Sequence, residues 1–160
     1  FQGWKAASPS IQARVFLETA KALQKASVEE NIKILEKVLQ SAQKKKNFRL
    51  TADIAMAWFS LEPAKGLEVL AQVEPKEIQV QTLRQMAWQS VSLRKERDEG
   101  RHLLDRATRE ALGIDGLGEK IKLLREIARD WTGSDKERAQ ATYLKAYQLA
   151  EKAQFIFPKF

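Results

Sequence analysis

Apolar positions three or four residues apart dominate the chain from Ile11 to about Ala153, and this spacing predicts amphipathic helices. Strand-like alternation of apolar and polar residues is missing from the sequence. The helical pattern breaks at Lys25–Ser27, Lys45–Asn47, Ser60–Pro63, Glu74–Pro75, Arg94–Glu99, Gly113–Gly118 and Thr132–Asp135. The sequence therefore predicts an all-α fold with about eight helices, each about 10 to 17 residues long.

Two of these breaks carry a helix-start signal. Ser27 is followed three positions later by Glu30, and Ser134 is followed in the same way by Glu137. In such a capping box, the Ser and Glu side chains satisfy backbone N–H groups at the start of a helix. We therefore predict that helices begin directly after Ser27 and Ser134.

A repeat becomes visible when the second helix of each predicted pair is aligned by its apolar spacing. A small residue is followed four positions later by a large apolar residue, and three positions after that by a mid-sized one. The four copies are Asn31, Leu35 and Val38; Gly66, Leu70 and Val73; Gly100, Leu104 and Ala107; and Ala139, Tyr143 and Ala146. They restart after 35, 34 and 39 residues, a period typical of stacked helical hairpins.

The first helices keep the same phase. In three pairs an alanine lies 11 positions before the small residue of the second helix, and a Leu or Trp lies 8 positions before it. These residues are Ala20, Ala55 and Ala128, and Leu23, Trp58 and Trp131. Small residues let crossing helices approach, so we predict that Trp58 and Trp131 fill the core between layers. Ala87 lies 13 positions before Gly100, which predicts a longer connection in the third pair.

This pattern resembles the tetratricopeptide repeat superfamily over residues 11–150. The match consists of the period near 34 residues, an Ala or Gly that opens the second helix, and the run from Ala139 through Tyr143 to Ala146. The Leu-Gly pair of that family's first helix is absent, and only Pro75 stands near a repeat-ending proline position. The resemblance implies αα-hairpin repeats stacked as a short right-handed superhelix of about four helix pairs, and a HEAT-like solenoid is the alternative.

The resemblance also predicts how the chain is organised. Residues 1–3 are interpreted as an expression-tag remnant, and residues 4–154 as one helical-repeat domain. The repeats are expected at residues 11–45, 48–75, 80–112 and 120–153. The apolar residues 155–160 are expected to form a tail or a cap over the last repeat.

Charge and composition limit the classes of function that the chain can have. The chain has a net charge of +7, and residues 1–50 carry 10 basic and 4 acidic side chains. It has no cysteine and one histidine, His102, whereas a catalytic zinc site usually needs three protein ligands. No run approaches the roughly 20 apolar residues that a membrane-spanning helix needs. We therefore predict a protein without catalytic activity, metal or cofactor.

In tetratricopeptide-like arrays the first helices line a concave groove, so the resemblance selects groove residues by phase. They are Arg14, Lys21, Arg49, Met56, Arg84, Trp88, Lys122, Arg125 and Arg129. Most are cationic, although Asp53 and Glu126 flank the same face. Arginine binds carboxylates through two hydrogen bonds, and aromatic anchors supply affinity. The expected function is a protein-protein interaction scaffold that binds an acidic or carboxylate-bearing peptide.

Two other functions stay open. The cluster Lys44–Lys46 and the same arginines would also suit a nucleic-acid-binding protein. A fragment of a larger self-associating repeat array would use residues 155–160 and the N-terminal helix as contacts. The location stays open between exported (periplasmic) and cytoplasmic: the absence of a native Met at the start favours an exported protein slightly, although truncation to a domain would explain it equally well.

Overall fold

The computed structural model describes residues 28–156 and the side-chain surroundings of residues 30–152. The described part is all-helical, with no strand, which confirms the prediction of an all-α fold. Its helices are α1 (Val28–Lys44), α2 (Phe48–Leu61), α3 (Pro63–Leu70), α4 (Lys76–Gln89), α5 (Arg97–Leu112), α6 (Leu117–Trp131) and α7 (Lys136–Ile156). A π-helical turn, Ser90–Arg94, extends α4. None of these helices is long and apolar enough to cross a membrane.

The described part of the chain divides into two compact units, one that ends at Val73 and one that begins at Glu74. The boundary lies between Val73 and Glu74, close to the predicted end of the second repeat. Glu74 and Pro75 separate the helices on either side, because proline restricts the residue before it and cannot donate a backbone hydrogen bond.

In the first unit, α2 packs against both α1 and α3. It begins after Asn47, whose side-chain oxygen accepts a hydrogen bond from the backbone N–H of Leu50 at 3.1 Å. The buried apolar residues of this unit are Leu35, Ala42, Ala52, Ile54, Ala55, Trp58, Phe59, Val69, Leu70 and Val73. The predicted core positions of Ala55 and Trp58 are therefore confirmed.

The contact between α2 and α3 depends on Gly66. A Cβ atom at this position would lie 2.5 Å from the backbone nitrogen of Phe59 and 2.6 Å from its Cα atom. Backbone atoms cannot move aside as a flexible side chain can, so only glycine fits. The predicted close approach at this small residue is confirmed.

The second unit contains two helical hairpins, α4 with α5 and α6 with α7. The hairpins join because α6 also packs against α4 and α5. The buried core of this unit includes Leu83, Met86, Ala87, Leu103, Leu104, Ala107, Leu123, Leu124, Ile127, Ala128 and Trp131. The predicted core position of Trp131 is confirmed, whereas Tyr143 is 42% exposed at the position that Leu104 fills in the preceding pair.

The extra length between Ala87 and Gly100 is taken up by the π-helical turn. The fully buried Ser90 hydroxyl donates to the Glu99 carboxylate at 2.7 Å, and Arg94 donates to the same carboxylate at 2.9 Å. The turn ends at Lys95, in the left-handed backbone region with φ 62°. The predicted long connection is therefore an added helical turn followed by a short reversal.

One local prediction was wrong. The side-chain cap of α7 is Asp135 rather than Ser134, because Asp135 accepts the Arg138 backbone N–H at 3.0 Å while Ser134 bonds back to the Trp131 carbonyl. The helical break at 113–118 also contributes to the core, since Ile114 is buried at 2% exposure.

We predict that Gly66→Ala lowers the free energy of unfolding by about 1–3 kcal/mol, because the added methyl overlaps the Phe59 backbone. The overlap outweighs the roughly 1 kcal/mol by which alanine favours a helix over glycine. Equilibrium denaturation of the two proteins measures the difference.

Gly118→Ala is the matched control. Gly118 also lies inside a helix, but nothing stands within 4 Å of the added atom. This variant should keep or raise stability, and equal destabilisation by both variants would contradict the close-contact explanation.

Candidate binding surface

The structure places the predicted groove residues in three groups. Arg14 and Lys21 lie outside the described residues. Arg49 and Met56 lie on α2 in the first unit. Arg84, Trp88, Lys122, Arg125 and Arg129 lie on α4 and α6 in the second unit, where these two helices pack together. We call these last five residues the α4/α6 surface.

Arg84 is held by ion pairs rather than standing free. Its guanidinium donates to both oxygens of Asp130, through Nε and through Nη2 at 3.3 Å, and through Nη1 to Glu126. Only 21% of its side chain is exposed. Arg84 therefore ties α4 to α6, and two carboxylates already balance its charge.

The same contacts explain the pair of carboxylates four positions apart on α6. A general acid and its base would need such proximity, but Glu126 and Asp130 both accept from Arg84. Two carboxylates one turn apart on a helix repel each other, and the guanidinium that they share offsets this repulsion. The carboxylates therefore hold the helices in register.

Arg125 and Arg129 differ from Arg84 because they are exposed and lie one turn apart on α6. Within the described part of the chain, neither makes an ion pair. Lys122, one turn earlier, is exposed as well and pairs with Glu119 at 3.1 Å. The exposed side of α6 thus carries two arginines without ion pairs among the described residues, and one lysine in a surface ion pair.

Trp88 lies one turn beyond Arg84 on α4, and 65% of its surface is exposed. Trp58 and Trp131, by contrast, are 3% and 1% exposed. A large aromatic side chain in water forgoes the free energy of burial, and such residues are enriched where a partner covers them. The sequence indicated the exposure of Trp88 through its helical phase, because Trp88 directly follows the packing residue Ala87.

On α2 the surface carries mixed charge. Arg49 is exposed and Met56 is half-buried, and half-buried Asp53 lies between them at helical spacing. Burial raises the pKa of the Asp53 carboxyl above its usual value, and the positive charge of Arg49 opposes that rise. The α2 part of the predicted groove therefore has an acidic group one turn from its arginine.

Sequence reasoning missed Arg138 on α7. Its guanidinium lies 5.0 Å from the ring centroid of Trp131, and it donates to Asp105 on α5. Arg138 therefore connects α5, α6 and α7 through one side chain, by a cation–π contact and an ion pair. Because Arg138 follows Asp135 by three positions, the sequence could have predicted an ion pair between these two residues. Nothing in the spacing indicated a contact with Asp105.

The described residues contain no group of three His, Asp or Glu side chains that could hold a metal ion. His102 is exposed on α5. No family model matches the chain, and no curated protein or solved structure matches it either. Its function has to be inferred from the chemistry of the described surfaces.

We predict that Arg84→Ala lowers the free energy of unfolding by about 1–3 kcal/mol, because two carboxylates lose their charged donor. Arg125→Ala, on an exposed side chain without an ion pair in the described region, should change it by less than about 0.5 kcal/mol. Denaturant titrations of both variants test this. Equal effects would show that the Arg84 contacts contribute nothing to stability.

We also predict a pH-dependent gain from Asp53→Asn. Since the folded-state pKa of Asp53 is raised, the folded protein binds the proton more tightly, and stability falls as pH rises from about the ordinary pKa through the raised one. The variant should therefore unfold at a higher temperature than the native chain at neutral pH, and this advantage should vanish below the ordinary pKa. Thermal melts at several pH values measure it, and a constant difference would contradict the assignment.

Proposed function

We propose that the chain is a non-catalytic protein-protein interaction module, and that the α4/α6 surface binds an acidic peptide segment or a peptide carboxylate. The observation that carries this proposal is the combination of Arg125 and Arg129, exposed and without ion pairs among the described residues, with the exposed Trp88. Guanidinium groups bind carboxylates through paired hydrogen bonds, while an indole ring contributes apolar contact area.

The support from Arg84 is indirect. Because it joins α4 to α6 through Asp130 and Glu126, Trp88 and the two free arginines are carried by helices fixed to each other. A surface that is rigid before binding loses less conformational entropy when a partner arrives. Arg84 is therefore assigned a positioning role on this surface.

A protein partner is favoured over nucleic acid by the distribution of charge. Glu119, Glu126 and Asp130 lie on the same helix as the free arginines, so acidic and basic groups alternate along it. These carboxylates reduce the net positive charge of the surface and so weaken its attraction for a phosphate backbone, whereas a peptide can present both an acidic group and an apolar side chain.

We infer that the hairpins stack as tetratricopeptide-like repeats. In the second unit, α6 contacts both helices of the preceding hairpin, and Gly100 lies against the preceding helix. A Cβ atom at Gly100 would come within 2.5 Å of Val91 and 3.1 Å of the Ala87 carbonyl oxygen. Close crossing at a small residue, followed by a layer of contacts with the next hairpin, is what such an array requires.

The test compares charge reversal on two helices. We expect Arg125→Glu with Arg129→Glu to lose the protein partner that the native chain retains in a lysate pull-down, with binding weakened at least about tenfold. The matched control, Arg97→Glu with Arg109→Glu, makes the same charge change at exposed arginines of α5 and should retain the partner. Trp88→Ala should weaken binding without any change of charge.

Nuclease treatment separates the two kinds of partner. Retention of a discrete protein after nuclease, lost only in the α6 variant, supports the proposal. Loss of all bound material on nuclease treatment would favour nucleic acid, and equal retention by both charge-reversed variants would remove the α4/α6 surface from consideration.

A further inference from the structure

The last helix, α7, has an apolar face that nothing covers in the described part of the chain. Tyr143, Leu144 and Tyr147 are 42%, 56% and 60% exposed. At the position that matches Tyr143 in the sequence repeat, Leu35 and Leu104 are each only 5% exposed. Leu104 is buried on α5, which has helices packed against it on two sides, α4 and α6. Tyr143 occupies the same repeat position without such cover.

This face is a continuous stripe. Lys136, Gln140, Tyr143, Leu144, Tyr147 and Glu151 recur at intervals of three or four positions and therefore lie on one side of the helix. We call these six residues the α7 seam. All six are exposed, and the buried residues Ala139, Thr142 and Ala146 lie on the adjoining, inward-facing side of the helix.

The charges of two α7 seams complement each other when the two helices run antiparallel. Lys136 stands at its start and Glu151 near its end, while the four residues between them are uncharged. An antiparallel crossing centred between Tyr143 and Leu144 places Lys136 of each helix opposite Glu151 of the other, and Tyr147 opposite Gln140. Within one helix, the neighbouring Glu151 carboxylate raises the pKa of Tyr147.

We propose that the α7 seam is an interface for a second copy of this chain, with two α7 helices packed antiparallel about a twofold axis. Two-fold contacts use the same patch on both subunits, and the seam is complementary to itself in this orientation alone. Apolar residues at intervals of three and four are the spacing by which paired helices pack. This proposal does not depend on the peptide-binding function of the α4/α6 surface.

The first test is the mass in solution, measured by size-exclusion chromatography with light scattering over a wide range of protein concentration. The native chain should form a dimer that dissociates on dilution. Tyr143→Lys with Tyr147→Lys should be monomeric at every concentration. The control Leu93→Lys introduces a lysine at another exposed apolar residue, which is 65% exposed in the π-helical turn, and should remain dimeric.

The second test addresses the antiparallel arrangement. Lys136→Glu should raise the dissociation constant at least about tenfold, because two copies of Glu151 then face two acidic groups. Adding Glu151→Lys to the same chain should restore the dimer. Lys136 makes no ion pair within residues 30–152, and glutamate is favourable in the first turn of a helix, so the fold of the single variant should persist.

Circular dichroism of each variant establishes that it is folded before its mass is interpreted. A native chain that stays monomeric at high concentration overturns the proposal and would leave the seam to a following repeat or another partner. Assemblies that grow beyond two copies also overturn it, since they indicate head-to-tail contact. Failure of Glu151→Lys to rescue Lys136→Glu would overturn the antiparallel register.

Discussion

The close crossing of helices at small residues is the constraint on which each unit depends. At Gly66 the backbone of α3 lies so near to Phe59 of α2 that there is no room for a Cβ atom. The two helices pack together at this crossing, and Ile54 and Phe59 of α2 are fully buried. Burial of apolar area supplies most of the stabilisation, and the glycine sets how much area the two helices can bury. In the second unit, Gly100 serves the same purpose against Val91 and Ala87.

A second layer of organisation comes from charged side chains that join helices at the edge of the core. Arg84 links α4 to α6, and Arg138 links α5 and α6 to α7. Each arginine uses more than one partner, so its fork-shaped head group fixes orientation as well as distance. Such pairs also decide which cations remain available to a partner. Arg84 on α4 is already paired, whereas Arg125 and Arg129 on α6 make no ion pair in the described region.

Much of the fold could be predicted from spacing, because the helical period and the repeat both record which side chains must be buried. Ala55, Trp58, Ala128 and Trp131 followed from phase alone, and the structure buries all four. The cap at Asp135 was missed because Ser134 and Asp135 are both good N-cap residues, and their identities do not choose between them. The burial of Ile114 was missed because glycines around it suggested a loop that contributes nothing to the core.

The candidate surface was less predictable, and for a physical reason. Phase identifies which residues face outward, but it gives no information on partners from distant parts of the chain. Arg84 and its carboxylates are separated by more than 40 positions, so their pairing depends on how the hairpins pack. The hydrogen bond between the buried Ser90 hydroxyl and Glu99 was equally unpredictable, because it spans a chain reversal that composition alone does not define.

The burial of the described tryptophans has a consequence for fluorescence: Trp58 and Trp131 are shielded from water, one in each unit, while Trp88 is in contact with water. Emission from a chain that keeps only one of them would report the unfolding of one unit, or the wetting of one surface, separately from the rest of the molecule.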